Sequence, residues 1–153
     1  MLLSDNDHWD LMKSFFKEEG LVKQHLDSYN DFTRNTLQHI IDEIGGISIE
    51  VPNHIYKIKF GSIEIGDPRV VEVDGTVREV YPREARIRNL TYSAPLYLEI
   101  ELDDEGRESY ERVNIGDIPI MVKSSLCLLS RHTEDELVRI GEDPKEVGGY
   151  FIV

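Results

Sequence analysis

Leu96-Tyr97-Leu98-Glu99-Ile100-Glu101-Leu102, followed at once by Asp103-Asp104-Glu105-Gly106, decides the fold class. Leu96, Leu98, Ile100 and Leu102 alternate with polar residues, the period of a strand with one buried face. The acidic, glycine-ended run after them reads as a turn. The chain then returns through Tyr110 and Val113, so a long antiparallel hairpin is expected.

On the N-terminal side the same period runs from Ile47 to Val80. Ile47, Ile49 and Val51 alternate, as do Ile63 and Ile65, then Val71 and Val73. Asp74-Gly75, between Val71-Glu72-Val73 and Thr76-Val77, is a hairpin signal. Before Ile47 the period is helical. A short helix is expected over 8–19, with Trp9, Met12, Phe15 and Phe16 on one face, Asp7 as N-cap and Gly20 as stop. A longer helix follows, with Val22, Leu26, Tyr29, Phe32, Leu37, Ile40 and Ile44 near a 3.6-residue spacing. Gly45-Gly46 ends it, giving a rod of roughly 36 Å. Its polar face carries Lys23, Asp27, Asp31, Arg34, Gln38 and Asp42. That mixture suits solvent, with partner docking as the alternative.

On the C-terminal side, Ile118 to Val122 reads as a short strand interrupted by Pro119, hence an edge or a bulge. Ser124 to Ser130 is compatible with a helix or a loop. Thr133-Glu134-Asp135-Glu136 is a capping box. It opens a short helix through Leu137, Val138 and Ile140, ended by Gly141. Gly148 to Val153 is apolar throughout and reads as a strand without its neighbour. An exposed, adhesive strand edge is expected there. Helices first and strands after them make an α+β fold. The expectation is N-terminal helices on a mixed, mostly antiparallel sheet, one incomplete domain over 1–153, truncated at its C-terminal strand.

With 153 residues, one domain with a real core is possible. No run of about 18 apolar residues would cross a membrane, and Met-Leu-Leu turns polar too soon for a signal peptide. Cys127 is the only cysteine, so no internal disulfide forms, as suits a reducing cytoplasm. The net charge of −13 opposes nucleic acid at long range, so any such contact needs a local cationic patch.

Catalytic and metal motifs are weak. Asp103-Asp104-Glu105 is the densest acidic cluster, but it falls in the expected turn and reads as a solvated tip. His8, His25, His39, His54 and His132 lack ligand spacing, and Cys127 between two leucines reads as a buried apolar residue. Gly45-Gly46 and Gly148-Gly149 lack phosphate-loop spacing. No catalytic residue, no metal ligand and no cofactor are expected. Arg83, Arg86 and Arg88 form the densest positive cluster. They suit phosphate, or they pair with Glu84 and other acids to pin this segment to the sheet. Lys123 and Arg131, flanking Ser124 to Ser130, are further candidates for contact with nucleic acid.

Four stretches carry a resemblance. They are Gly20-Leu21-Val22 with Gln24, Leu26, Asp27, Ser28, Asn30 and Phe32; the run Tyr81 to Leu96; Ile115 to Met121; and Gly141-Glu142-Asp143-Pro144 with Gly148 to Ile152. In this order they resemble the protrusion domain of the second-largest subunit of DNA-directed RNA polymerase, in its archaeal and eukaryotic form. The resemblance implies a noncatalytic segment of a multisubunit nucleotidyltransferase, cytoplasmic or nuclear according to lineage. Such a segment walls one side of the DNA cleft near upstream DNA and docks other subunits and initiation and elongation factors. It implies that magnesium is bound elsewhere, by the largest subunit, and that the rest of the subunit follows Val153. The alternative is a free-standing acidic α+β interaction module unrelated to transcription.

Overall fold

The computed structural model describes residues 5–52, 54–104 and 107–153. Glu105 and Gly106 of the expected acidic turn lie outside the described residues, as do the side chains of Asp104 and His54.

Helix α1 spans Asp5–Glu19. Asp7 therefore lies within the described helix instead of capping it. Gly20, at φ +76°, ends the helix as expected. Trp9, Met12, Phe15 and Phe16 remain between 43% and 58% exposed, so the apolar face of α1 is uncovered.

The long rod is helical throughout but not uniformly α. Helix α2 (Lys23–Asp31) passes into a π-turn at Phe32–Thr36 and then into α3 (Leu37–Ile44). The spacing of five between the apolar Phe32 and Leu37 matches the wider turn, and the Leu37 amide donates to the Phe32 carbonyl. The Thr33 hydroxyl bonds back to the Tyr29 carbonyl at 3.1 Å, a local competitor of the α ladder. Tyr29 and Asn30 tie this rod to the rest of the molecule. The Tyr29 hydroxyl donates to the Pro119 carbonyl at 2.8 Å, and Asn30 Oδ1 accepts from the Ser125 amide at 2.8 Å. Burial pushes the Tyr29 phenol up to about 12.

The main sheet has the order β1-β2-β5-β6, from Gly46–Val51, His54–Ile65, Ser93–Asp104 and Arg107–Pro119. The expected hairpin over 96–113 is the β5–β6 pair. Between β2 and β5 lies a smaller hairpin, β3 (Arg69–Val71) with β4 (Val77–Glu79). Asp74-Gly75 forms its turn, Gly75 at φ +85°, although β3 ends at Val71 and leaves Val73 in the loop. Every ladder is antiparallel, so the expected mixed sheet is corrected. β1–β2, β3–β4 and β5–β6 join neighbours directly, without the crossover a parallel pair demands.

A bulge between Phe60 and Ile63 shifts the β2–β5 register. Gln38, placed by sequence on the solvent face of the rod, fills it. Its Oε1 accepts from the Ile63 amide at 2.9 Å, and its Nε2 donates to the Gly61 carbonyl at 3.2 Å. One side-chain amide thus satisfies backbone groups that the bulge frees from the ladder.

Two strand expectations fail near the C-terminus. Ile118 and Pro119 are the end of β6, not a separate strand, and Ile120, just past the strand, keeps its register by donating to the Tyr92 carbonyl at 2.8 Å. Residues 148–153 are not a strand either. They bond to two different segments: Val122 donates to the Tyr150 carbonyl and Tyr92 to the Ile152 carbonyl, both at 2.9 Å. Gly148 and Gly149, at φ +71° and +83°, bend the chain into this clasp. Ser124 to Ser130 resolves into turns and a 3-10 helix at Leu128–Arg131. Helix α5 (Glu134–Ile140) carries the capping box as read, closed by Gly141 in the left-handed region.

The core gathers where these pieces meet. Val80, Tyr92, Ile120, Val122, Cys127, Leu129 and Leu137 are buried together, with Ile152 packed against them. Cys127 is a buried apolar residue, as expected.

Candidate nucleic-acid interface

The arginine-rich segment forms helix α4, Pro82–Arg88. Pro82 occupies its first turn, where its missing N–H costs nothing. The Glu142 carboxylate, 5% exposed, accepts from the Arg83 amide at 2.8 Å and caps the helix from α5's side. Asn89, left-handed at φ 52°, closes the other end. Ala85 faces the core with no exposure, and the charged side chains are turned outward.

Most of that charge is already paired. Arg88 grips Glu72 with both Nη atoms, at 2.7 and 2.8 Å, and reaches Glu84 at 2.8 Å. Arg78, from β4, donates to Glu72 at 3.0 Å and to Glu84 through both Nη atoms, one at 2.9 Å. Two guanidiniums and two carboxylates cancel. Such a network is worth more than isolated surface pairs, because each member is held by two partners. Hydrogen bonds from Arg78, then from Arg88, hold the Glu84 carboxyl down at about 2. Arg86 bonds Glu146 at 3.0 Å and the Tyr150 hydroxyl, its guanidinium 5.7 Å from that ring's centre. It fastens α4 to the clasp. Arg131 pairs with Asp67.

Arg83 and Lys123 differ. Among the described residues neither has an acidic partner. The Arg83 guanidinium lies over Gly141, where a Cβ would collide with Nη1. Lys123 is half-buried in the left-handed region, at φ 64°, with its Cβ against Gly148. The five cations singled out by sequence therefore split: Arg86, Arg88 and Arg131 are neutralised, and Arg83 and Lys123 remain available.

Sequence reading missed Arg78 and Glu72. Neither lies in the arginine run, and only the β3–β4 hairpin brings them to it. It also missed Tyr97, with Arg112 4.1 Å and Arg69 5.8 Å from its ring centre. Among the described residues no group of three or more His, Cys, Asp or Glu could hold a metal ion.

The segment Tyr81 to Leu96 thus combines a capped helix, an ion network and the entry to β5. Comparison with known proteins gives it a setting. A family model described as RNA polymerase beta subunit matches residues 20–153. The chain belongs to the RNA polymerase beta subunit family. The chain is 53% identical over 152 residues to DNA-directed RNA polymerase subunit Rpo2 of Saccharolobus shibatae, covering 99% of the chain and 13% of that protein. It is 47% identical over 148 residues to subunit Rpo2N of Methanococcus vannielii, covering 94% of the chain and 30% of that protein. It is 40% identical over 173 aligned residues to DNA-directed RNA polymerase II subunit 2 of Arabidopsis thaliana, 15% of that protein. The chain spans less than a third of the length of these curated relatives.

Membership in the beta subunit family sets aside the free-standing, transcription-unrelated module. No described helix is long and apolar enough to cross a membrane. Within this beta subunit segment the ion network gives a pH signature. Glu84 falls from an ordinary 4.5 to about 2 on folding, so between those values the unfolded chain binds more protons. The stabilisation is present above the upper value and is lost as pH falls toward the lower one. Thermal unfolding followed across that window should show a falling acid limb. Glu84→Gln should flatten it. An unchanged limb would mean that other carboxylates set the acid response.

Proposed function

We propose that this chain is a noncatalytic structural part of the second-largest subunit of DNA-directed RNA polymerase. It builds one wall of the DNA cleft, positions upstream DNA, and docks other subunits and initiation and elongation factors. The enzyme works in the cytoplasm, or in the nucleus of a eukaryote, and its magnesium is held elsewhere. The observation that carries the reading is the division among the cations. Arg86, Arg88 and Arg131 are engaged within the fold, while Arg83 and Lys123 keep free charge on a chain of net charge −13. Free cations on an acidic body suit a few local phosphate contacts, not a broad nucleic-acid surface. The uncovered apolar face of α1 supports docking against other protein.

The test uses the full-length subunit in assembled polymerase. Arg83→Ala with Lys123→Ala should weaken binding to upstream duplex DNA and lower the slope of log K against log salt by about 1–2. Nucleotide addition on a preassembled scaffold should be unchanged. Arg88→Ala should leave the slope alone and lower the melting temperature. An intact slope in the double variant, or a slowed addition step, overturns the proposal.

A further inference from the structure

Asp74-Gly75 is the chain's only aspartate or asparagine followed by glycine. Such a pair is chemically labile, because glycine has no side chain to shield its amide from the neighbouring carboxyl. Here it forms the exposed tip of the β3–β4 hairpin, and nothing lies within 4 Å of the place a Gly75 Cβ would take. Yet both reacting groups are engaged. The Gly75 amide donates to the Glu72 carbonyl at 2.9 Å. Asp74 Oδ1 accepts from the Thr76 amide at 2.9 Å, and from the Thr76 hydroxyl as well. An aspartate that accepts from the amide two residues on closes an Asx turn.

Isomerisation begins when the Gly75 nitrogen attacks Asp74 Cγ. A Cγ–N bond forms, a Cγ–O bond breaks, and the departing oxygen leaves as water with the carboxyl and amide protons. Solvent water then opens the five-membered imide. Attack at Cγ restores aspartate. Attack at the Asp74 backbone carbonyl carbon leaves the chain linked through the side-chain carbon. No electrons change hands and no cofactor enters. The first step needs a protonated carboxyl, since an ionised one repels the nucleophile and offers no leaving group. It also needs a free amide. The Thr76 hydroxyl, and then the Thr76 amide, hold the Asp74 carboxyl below its ordinary value. The bond to Glu72 occupies the amide.

We propose that Asp74-Gly75 is a latent isomerisation site, and that Thr76 is the residue that guards it. The groups concerned all lie between Glu72 and Thr76, so the guard is built within one turn. Its failure reaches further. The rearranged linkage adds one methylene to the backbone, inside the loop closed by the bonds from Glu72 to Thr76 and from Gly75 to Glu72. That loop presents the Glu72 carboxylate to Arg88 and Arg78. Isomerisation therefore loosens the ion network that ties the hairpin to α4.

Ageing the full-length subunit at neutral pH, then separating the two isomers of its tryptic peptide Val70–Arg78, reads the conversion. Ageing in heavy-oxygen water marks each imide that opens. The same subunit unfolded in guanidinium supplies the unguarded rate. The folded subunit should convert more slowly than the unfolded one. Thr76→Val should speed the folded conversion by roughly two- to tenfold, the worth of one net hydrogen bond. Thr76→Ser, which keeps the hydroxyl, should stay slow. The Glu72 amide donates to the Thr76 carbonyl at 2.8 Å, and its exchange protection should survive in Thr76→Val, which separates a lost hydroxyl from an opened turn. Equal rates in the folded and unfolded subunit overturn the proposal. So does a rate indifferent to Thr76→Val, a Thr76→Ser variant as fast as Thr76→Val, or a faster conversion that comes with lost protection at Glu72.

Discussion

Tyr92→Ala should cost about 3–5 kcal/mol of stability, the range for emptying a buried aromatic site. Tyr92 has no exposed surface. Its hydroxyl accepts from the Leu128 amide at 3.1 Å and donates to Cys127 Sγ at 3.5 Å. Its backbone binds Ile152 on one side and Ile120 on the other. One residue therefore joins the start of β5, the 3-10 turn and the terminal segment. Burial pushes its phenol up, so the group stays neutral throughout the ordinary pH range. Tyr92→Phe keeps the ring and leaves the Leu128 N–H without its acceptor, and should cost about 1–3 kcal/mol. Urea unfolding of the three proteins, with unchanged m, measures both. Against a total of about 5–15 kcal/mol, the alanine change removes a large share of the stability. A loss below about 1 kcal/mol for alanine would show that this junction is not the centre of the core.

Gly148→Ala should cost about 2–4 kcal/mol, from a backbone angle that side chains disfavour and a collision that cannot relax. Gly148 sits at φ +71°, and an added Cβ would run into the Val122 carbonyl oxygen and the Lys123 Cβ, with the Val122 carbonyl carbon at 2.8 Å. These are backbone and root atoms, not flexible side-chain ends. Gly75 is the control: its φ is +85°, but nothing lies within 4 Å, so alanine there should cost only about 1 kcal/mol. Hydrogen exchange should show the Val122 and Tyr92 amides losing protection in Gly148→Ala and keeping it in Gly75→Ala. Equal losses in the two variants would refute the steric argument.

Features written locally were legible in the sequence. Thr133 to Glu136 announced its capping box, Gly45 and Gly141 marked helix ends, and Asp74-Gly75 marked a turn, because each needs only neighbouring residues. The apolar alternation gave β5 for the same reason. Features made by distant partners were not legible. Gln38 looked like a solvent residue because the bulge that it satisfies lies in β2. Residues 148–153 looked like a strand because an unbroken apolar, β-branched and aromatic run does not show that its bonding partners are two separate segments. At the candidate interface the run Arg83, Arg86, Arg88 was visible, together with the possibility that acids hold it. Which arginines are held depended on Glu72, Arg78 and Glu146, and only the folded chain brings those three to the helix.

The clasp at Tyr150 and Ile152 also sets an order of assembly. The ribosome makes the chain from its N-terminus, and the β1–β2 and β5–β6 hairpins can zip as soon as they emerge, since their strands adjoin in sequence. The Tyr92 amide cannot reach the Ile152 carbonyl until the last residues of this segment appear. Closing a loop of about 60 residues then costs roughly 3–4 kcal/mol of chain entropy. Until that moment the nascent segment carries formed hairpins around an open core. Residues 150–152 act as a latch, and the fold locks only as synthesis passes them.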